Sequence, residues 1–143
     1  MNFTWRGAKV FLTGINGFVG GNVAKKLVEL GADVYGLIRT NKYNSYLYYE
    51  KLDKKISLID GEISDLNLLN QIISEEQINV IFHMAAQVEV GIGLKNPFLT
   101  FETNVRGTYT LLESARLYPD SLKAIVVASS DKSYGEYPRN DMP

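Results

Sequence analysis

The sequence holds 143 residues, of which 45% are hydrophobic and 22% charged, the composition of one soluble globular domain with a buried core. Fifteen lysines and arginines nearly balance 16 aspartates and glutamates, so no long-range field draws the chain to nucleic acid or to an anionic membrane. With no cysteine and one histidine, disulfides, thiolate nucleophiles, iron–sulfur clusters and histidine-rich metal sites are excluded, and no metal site is expected. The start, Met1 to Arg6, lacks a basic segment followed by an apolar run. No stretch reaches the roughly 20 apolar residues of a membrane span. A cytoplasmic setting is expected.

In chain order, short apolar runs alternate with segments of helical period, the signature of βαβ units. Lys9 to Thr13 reads as a buried first strand ending at Gly14. From Gly17 the period changes, with Val19, Val23, Leu27 and Leu30 on one helical face and Gly31 as the stop. Asp33 to Ile38 is the second strand, followed by a polar, tyrosine-laden stretch from Arg39 to about Lys55. Ile56 to Ile59 is the third strand, Asp65 to about Glu76 a helix with Leu66, Leu69, Ile72 and Ile73 together, and Asn79 to Phe82 the fourth strand. A glycine-containing loop comes next. Asn96 and Pro97 then open one long helix, with Phe98, Phe101, Val105, Thr108, Leu112 and Ala115 as its inner stripe. Ala124 to Ala128, almost wholly apolar, reads as a fifth strand covered on both faces, and Ser129 to Pro143 as a polar loop. The fold class is therefore α/β: a Rossmann-type, doubly wound parallel sheet in three α/β/α layers, with strand order 3-2-1-4-5. Such sheets bind ligands beyond the carboxyl ends of their strands, where Gly14, Ile38, His83 and Ser129 fall.

The run Thr13-Gly14-Ile15-Asn16-Gly17-Phe18-Val19-Gly20 lies between a strand and a helix. Gly14 permits the sharp exit, Gly17 a close approach of backbone to a pyrophosphate, and Gly20 tight seating of the helix. The helix start favours anionic phosphates. A phosphate-binding loop of the Gly-Lys-Ser/Thr kind is rejected, because Gly21 and Asn22 follow Gly20. Gly14, Asn16, Gly17, Phe18, Val19 and Gly20 are thus expected to hold NAD or NADP. Arg39 follows strand two where NAD-specific proteins place an acid, and an arginine there can pair with the 2′-phosphate of NADP.

The spacing Gly-x-x-Gly-x-x-Gly resembles that of the extended short-chain dehydrogenase/reductases, a family of NAD-dependent epimerases and dehydratases. Further segments match in order. Gly61-Glu62-Ile63-Ser64-Asp65 is similar to the segment whose acidic and aliphatic residues contact adenine, which implies that role for Glu62 and Ile63. His83-Met84-Ala85-Ala86-Gln87 is similar to the segment lying along the cofactor, which implies contacts from Ala85, Ala86 and Gln87. Thr103-Asn104-Val105-Arg106-Gly107-Thr108 matches the long-helix signature. Asn104 there is expected to brace the loops around the nicotinamide or to face solvent.

Ser129-Ser130-Asp131-Lys132-Ser133-Tyr134-Gly135 matches the strand-five segment. Its Ser-Asp-Lys triplet most resembles nucleotide-sugar 4,6-dehydratases of the CDP-glucose type. In that chemistry a C4 ketone acidifies the C5 proton, water is eliminated, and hydride returns to C6. The resemblance implies that Ser130 hydrogen-bonds the sugar O4, that Asp131 protonates the departing C6 hydroxyl, and that Lys132 stands where relatives place the glutamate that removes the C5 proton. It implies NAD, whereas Arg39 points to NADP, and the two stay open at this point.

The family's Tyr-x-x-x-Lys pair is missing, since none of the nine tyrosines has lysine four residues on. Residues 1–143 are therefore expected to be the NAD(P)-binding domain, the N-terminal part of a longer enzyme whose substrate-binding part is absent, and to bind cofactor without turnover. The full-length enzyme would act on a nucleotide sugar and pair as a homodimer. A 4-epimerase or reductase is the other enzymatic reading, and a non-catalytic NAD(P)-binding, redox-sensing module is the alternative from a different class. His83 is expected to be packed and hydrogen-bonded rather than a proton relay. Tyr43, Tyr46, Tyr48 and Tyr49 are expected to pack with a short helix at the sheet edge.

Overall fold

The computed structural model describes residues 3–130 and Gly135. Its five strands are β1 (Lys9–Thr13), β2 (Asp33–Ile38), β3 (Ser57–Asp60), β4 (Val80–His83) and β5 (Ala124–Val127), all parallel in the order β3-β2-β1-β4-β5. The expected doubly wound arrangement is present. The chain runs outward from β1 to β3 on one side, then returns to place β4 against the other edge of β1.

Period-two alternation in β1 explains why one strand serves two cores. Val10 and Leu12 pack with Val34 on one face, against Ala24 and Leu27 of α1 (Phe18–Glu29) and Leu47 of α2 (Tyr46–Tyr49). Phe11 packs with Leu37 and Ile81 on the other, against α3 (Leu66–Glu75) and α6 (Gly107–Leu117). Each fully buried side chain of this size stabilises the fold by about 1.5–3 kcal/mol.

Helix ends follow local chemistry. Asp65 caps α3 by accepting from the Leu68 N–H at 3.1 Å. Gly31 closes α1 at φ +80°, with its N–H on Val28 O at 3.0 Å and the Ala32 N–H on Leu27 O at 3.0 Å. That double bond is the Schellman arrangement, which needs a left-handed residue.

Several expectations are corrected. β3 and β4 each begin one residue later than read, and β5 ends one residue earlier. The loop before Asn96 contains a helix, α4 (Val90–Lys95), hidden by Gly91 and Gly93. The buried face of α1 is Gly20, Gly21, Ala24 and Leu27, while Val19 and Leu30 are exposed. Small residues let this helix sit close to the sheet, and a hydrophobicity count passes over them.

The expected long helix is broken into α5 (Pro97–Phe101), a π-helical turn over Glu102–Arg106, and α6. The wider turn rotates the face that follows. Gly107, Thr110, Leu111, Ser114 and Ala115 point inward, whereas Phe98, Phe101, Val105 and Leu112 lie at the surface. Gly107 packs directly on Ile63, where a Cβ would lie 2.6 Å from a side-chain methyl. β5 is not covered on both faces. Among the described residues it is the edge of the sheet, with Val126 43% and Val127 38% exposed.

The tyrosine segment folds as α2 and a 3-10 turn at Leu52–Lys54, with Leu47 buried and Tyr43 and Tyr49 exposed. It packs on α1, where the Lys25 Nζ meets Glu50 at 2.9 Å. No helix among the described residues is long and apolar enough to cross a membrane.

Gly31→Ala should cost about 1–2 kcal/mol in urea unfolding, because the strain is purely conformational. A Cβ there meets nothing nearer than 3.6 Å. An unchanged midpoint would show that the left-handed stop does not matter.

Candidate functional site

β1 and β4 end side by side, with Thr13 opposite His83. The chain leaves β1 through Gly14 at φ +72°, where a Cβ would lie 2.5 Å from the Met84 carbonyl carbon. Only glycine allows both that dihedral and that approach. The Gly17 N–H then donates to Gly14 O at 2.9 Å, and α1 begins at Phe18. A Cβ on Gly20 would collide with the Gly14 carbonyl, so this residue sets how near α1 sits to the turn. The helix has no side-chain cap and no acid in its first turn. Its amino end therefore keeps its capacity for an anion.

This turn forms one wall of an open cleft of about 480 Å³ at the carboxyl ends of the strands. Of the residues singled out in the sequence, Gly14, Asn16, Gly17, Arg39, Glu62, Ile63, Ala85, Ala86 and Gln87 line it together. Phe18, Val19, Gly20, Asn104 and Ser130 are not among the lining residues. The Phe18 and Val19 side chains are exposed, and Gly20 is buried behind the turn. Ser130 lies just past the end of β5, and Asp131 and Lys132 fall outside the described residues. Thr13, Thr40, Lys42 and Met84 also line the cleft, and sequence reasoning missed them. Each lies at or just beyond the carboxyl end of a strand, the one signal that could have found them.

Among the described residues, the charged ones on the lining are Arg39, Lys42, Glu62 and Glu89, two of each sign. Anion affinity at the glycine turn must then come mainly from the main chain. Arg39 Nε and Glu62 Oε1 stand 4.0 Å apart, with side chains 60% and 57% exposed, a loose pair that a ligand can part. Asn16 donates its amide to Thr40 O at 3.0 Å and accepts from the Ser45 hydroxyl at 3.3 Å, tying the glycine turn to the loop after β2.

Behind the cleft runs a chain of hydrogen bonds. The Ala85 N–H donates to Thr13 Oγ1 at 3.2 Å, and Thr13 Oγ1 lies 2.7 Å from His83 Nδ1. His83 Nε2 lies 3.0 Å from Thr108 Oγ1, whose hydroxyl donates to Asn104 O at 2.7 Å. Asn104 in turn accepts from the Gln87 N–H at 2.7 Å and donates to Gln87 O at 3.0 Å. Asn104 thus braces the loop after β4.

Burial holds the His83 pKa below its ordinary 6.5. The unfolded chain then binds the extra proton first. Stability due to His83 is complete above pH 6.5 and declines as pH falls from there to the lowered folded value. Among the described residues, Thr13, Thr108 and, on β5, Val127 meet or pair with it, and none of these carries a charge. Glu50 and Glu113, held below their ordinary 4.5 by Lys25 and Arg116, add losses only at lower pH. Resistance to urea should therefore decline through the pH window just below 6.5, and His83→Gln should remove that slope. A flat wild-type curve over this window would contradict the burial argument.

Comparison with known proteins agrees with this geometry. Residues 11–142 match the family model described as GDP-mannose 4,6 dehydratase. The chain is 36% identical over 131 residues to the CDP-glucose 4,6-dehydratase of Salmonella typhimurium, covering 91% of this chain and 36% of that protein. It is 30% identical to the CDP-paratose 2-epimerase of Salmonella typhi, covering 90% and 38%. Among solved structures, the UDP-glucose 4-epimerase of Thermotoga maritima with UDP-glucose superposes at TM-score 0.79 and 28% identity, covering 92% and 41%. The UDP-glucose 4-epimerase of Brucella ovis in complex with NAD gives 0.77 and 25%, covering 92% and 38%. The chain spans from just over a third to about two fifths of the length of these relatives. With its glycine turn, strand order and cleft in place, the chain belongs to the GDP-mannose 4,6 dehydratase family of nucleotide-sugar epimerases and dehydratases.

Proposed function

We propose that these 143 residues form the cofactor-binding part of an NAD(P)-dependent enzyme that acts on a nucleotide sugar, as a 4,6-dehydratase or an epimerase. The cleft at the β1/β4 switch point, walled by Gly14 and the uncapped start of α1, carries this reading. The donor set fits a dinucleotide. Backbone amides of the glycine turn and the start of α1 that have no partner in the chain would hold the pyrophosphate, Glu62 and Ile63 would border the adenine, and Ala85, Ala86 and Gln87 the nicotinamide side. When bound, the nicotinamide supplies hydride acceptance and return. Ser130 orients the sugar O4, Asp131 protonates the departing C6 hydroxyl, and Lys132 stands where relatives place the glutamate that removes the C5 proton. The 36% identity to a CDP-glucose 4,6-dehydratase favours the dehydratase reading.

The choice between NAD and NADP falls to Arg39 and Glu62. A 2′-phosphate gains from the arginine and is repelled by the glutamate, whereas a ribose hydroxyl can donate to the glutamate. In calorimetric titration of the purified chain, Arg39→Ala should weaken NADP about tenfold relative to NAD. Glu62→Gln should shift the ratio the other way. Equal changes for both cofactors would remove these side chains from the 2′ position. Failure of both cofactors to bind the wild-type chain would sink the functional reading itself.

We also propose that the ridge of Phe98, Phe101, Val105, Tyr109 and Leu112 meets a second copy of the protein. These side chains are 42–71% exposed on one continuous face of α5, the π turn and α6, and an apolar ridge of this kind marks an interface. Sedimentation should show dimers that Phe101→Glu converts to monomers. A wild-type monomer at every concentration up to about 100 μM, near the Kd range of weak association, would refute this.

A further inference from the structure

We propose that His83, carrying its one proton on Nε2, is a positioning residue that locks the cofactor-facing loop after β4 to the glycine exit of β1. The proposal rests on the reading of the cleft as a dinucleotide site. Its basis is a count of donors and acceptors around the hydroxyls of buried Thr13 and half-buried Thr108. Thr13 and His83 are 0% and 2% exposed, so water does not complete their bonding.

A threonine hydroxyl has one hydrogen to give. Thr108 gives its hydrogen to Asn104 O at 2.7 Å, and it can meet His83 Nε2 at 3.0 Å only by accepting. Nε2 therefore bears the proton. On the other side Thr13 Oγ1 accepts from the Ala85 N–H and has its own hydrogen left. Nδ1, 2.7 Å away, is the acceptor for it. The neutral Nε2–H tautomer satisfies every member of the chain. The Nδ1–H tautomer would crowd two donors onto Thr13 and leave its hydrogen without an acceptor in a dry site. It would also compel Thr108 to choose between Nε2 and Asn104 O.

The direction of these bonds has a consequence for the site. The Ala85 amide and the Thr13 carbonyl side of the Gly14 turn are both on the cleft wall. The Met84 N–H already donates to Thr13 O at 3.2 Å as the last rung of the sheet. His83 adds the side-chain rung beyond it. It also ties that rung to the π turn, whose Asn104 holds the Gln87 backbone at both its N–H and its carbonyl. The loop from Met84 to Gln87 is thus held at its start by Thr13 and at its end by Asn104, with His83 and Thr108 joining the two anchors. Pre-ordering of this loop lowers the cost of binding along it.

The test uses the chain's single histidine, whose ring nitrogens need no assignment. Long-range proton–nitrogen correlation at pH 7.5 should show a fixed Nε2–H tautomer. Thr108→Val and Thr108→Ala, each checked by circular dichroism, should collapse that pattern toward an average of the two tautomers. They should weaken NAD or NADP, whichever the wild-type chain binds, about tenfold. Thr108→Ser should restore both the tautomer and the affinity to within about twofold. A fixed Nδ1–H tautomer overturns the proposal. So does wild-type affinity in either folded variant that lacks the hydroxyl. A wild-type chain with the Nε2–H tautomer that binds neither NAD nor NADP overturns the cofactor reading, and with it the role assigned to His83.

Discussion

The close approach of two main chains at Gly14 and Met84 constrains everything around it. β1 and β4 are adjacent and parallel, so their ends reach the rim of the sheet together. The chain from β1 must turn toward α1 without colliding with the chain from β4, and no side chain fits between them. A glycine with positive φ is the solution, and the cleft opens where the two paths diverge. Gly20 extends the same constraint, since α1 can close the turn only if its third residue has no Cβ. Ligand-binding capacity is thus a by-product of strand order, realised by two positions that tolerate nothing larger than hydrogen.

Because the wall is main chain, its chemistry does not depend on net charge. Among the described residues the cleft carries two acids and two bases. A phosphate group placed there would gain from N–H groups and the helix dipole, which are short-ranged and fixed in direction, and gain little from long-range attraction. Selectivity between similar ligands then passes to the few side chains that reach past the main chain. Arg39 and Glu62 do so from the ends of adjacent strands. They oppose each other in charge, so small changes in either reset the balance.

Much of this was legible in the sequence because it depends on local rules. β1 and β2 match their expected bounds residue for residue, since each is an apolar run with clear punctuation: Gly14 after β1, Gly31 and Arg39 around β2. Nine residues picked for the cofactor line one cleft, because strand ends in a doubly wound sheet converge whatever the details. The misreadings share a different cause. In α1 and α6 the inward face, apart from Leu27 and Leu111, is made of glycine, alanine, serine and threonine, which allow closeness and are invisible to a count of large apolar residues. β5 reads from its composition as covered on both faces, whereas among the described residues it lies at the edge, because composition records hydrophobicity but not which neighbours stand beside a strand. Asn104 could be read as brace or as solvent-facing, since only the three-dimensional path brings Gln87 to it.

The π turn connects these misreadings to the site. An unbroken helix from Pro97 would have put Phe101, Val105 and Leu112 inward and carried the backbone of residue 104 along a uniform spiral. Widening one turn does two things together. It rotates Gly107, Thr110 and Leu111 onto α3 and Ile63, which leaves the large side chains outside. It also sets Asn104 and Thr108 against the β4 loop and His83, with the Thr108 hydroxyl supporting the Asn104 carbonyl inside the distorted segment. Insertions of this kind concentrate at functional sites because they re-aim side chains without changing the helix axis much. Here the re-aimed pair is polar and inward while the displaced group is apolar and outward. One irregularity therefore shapes both the rear wall of the cleft and the exposed ridge.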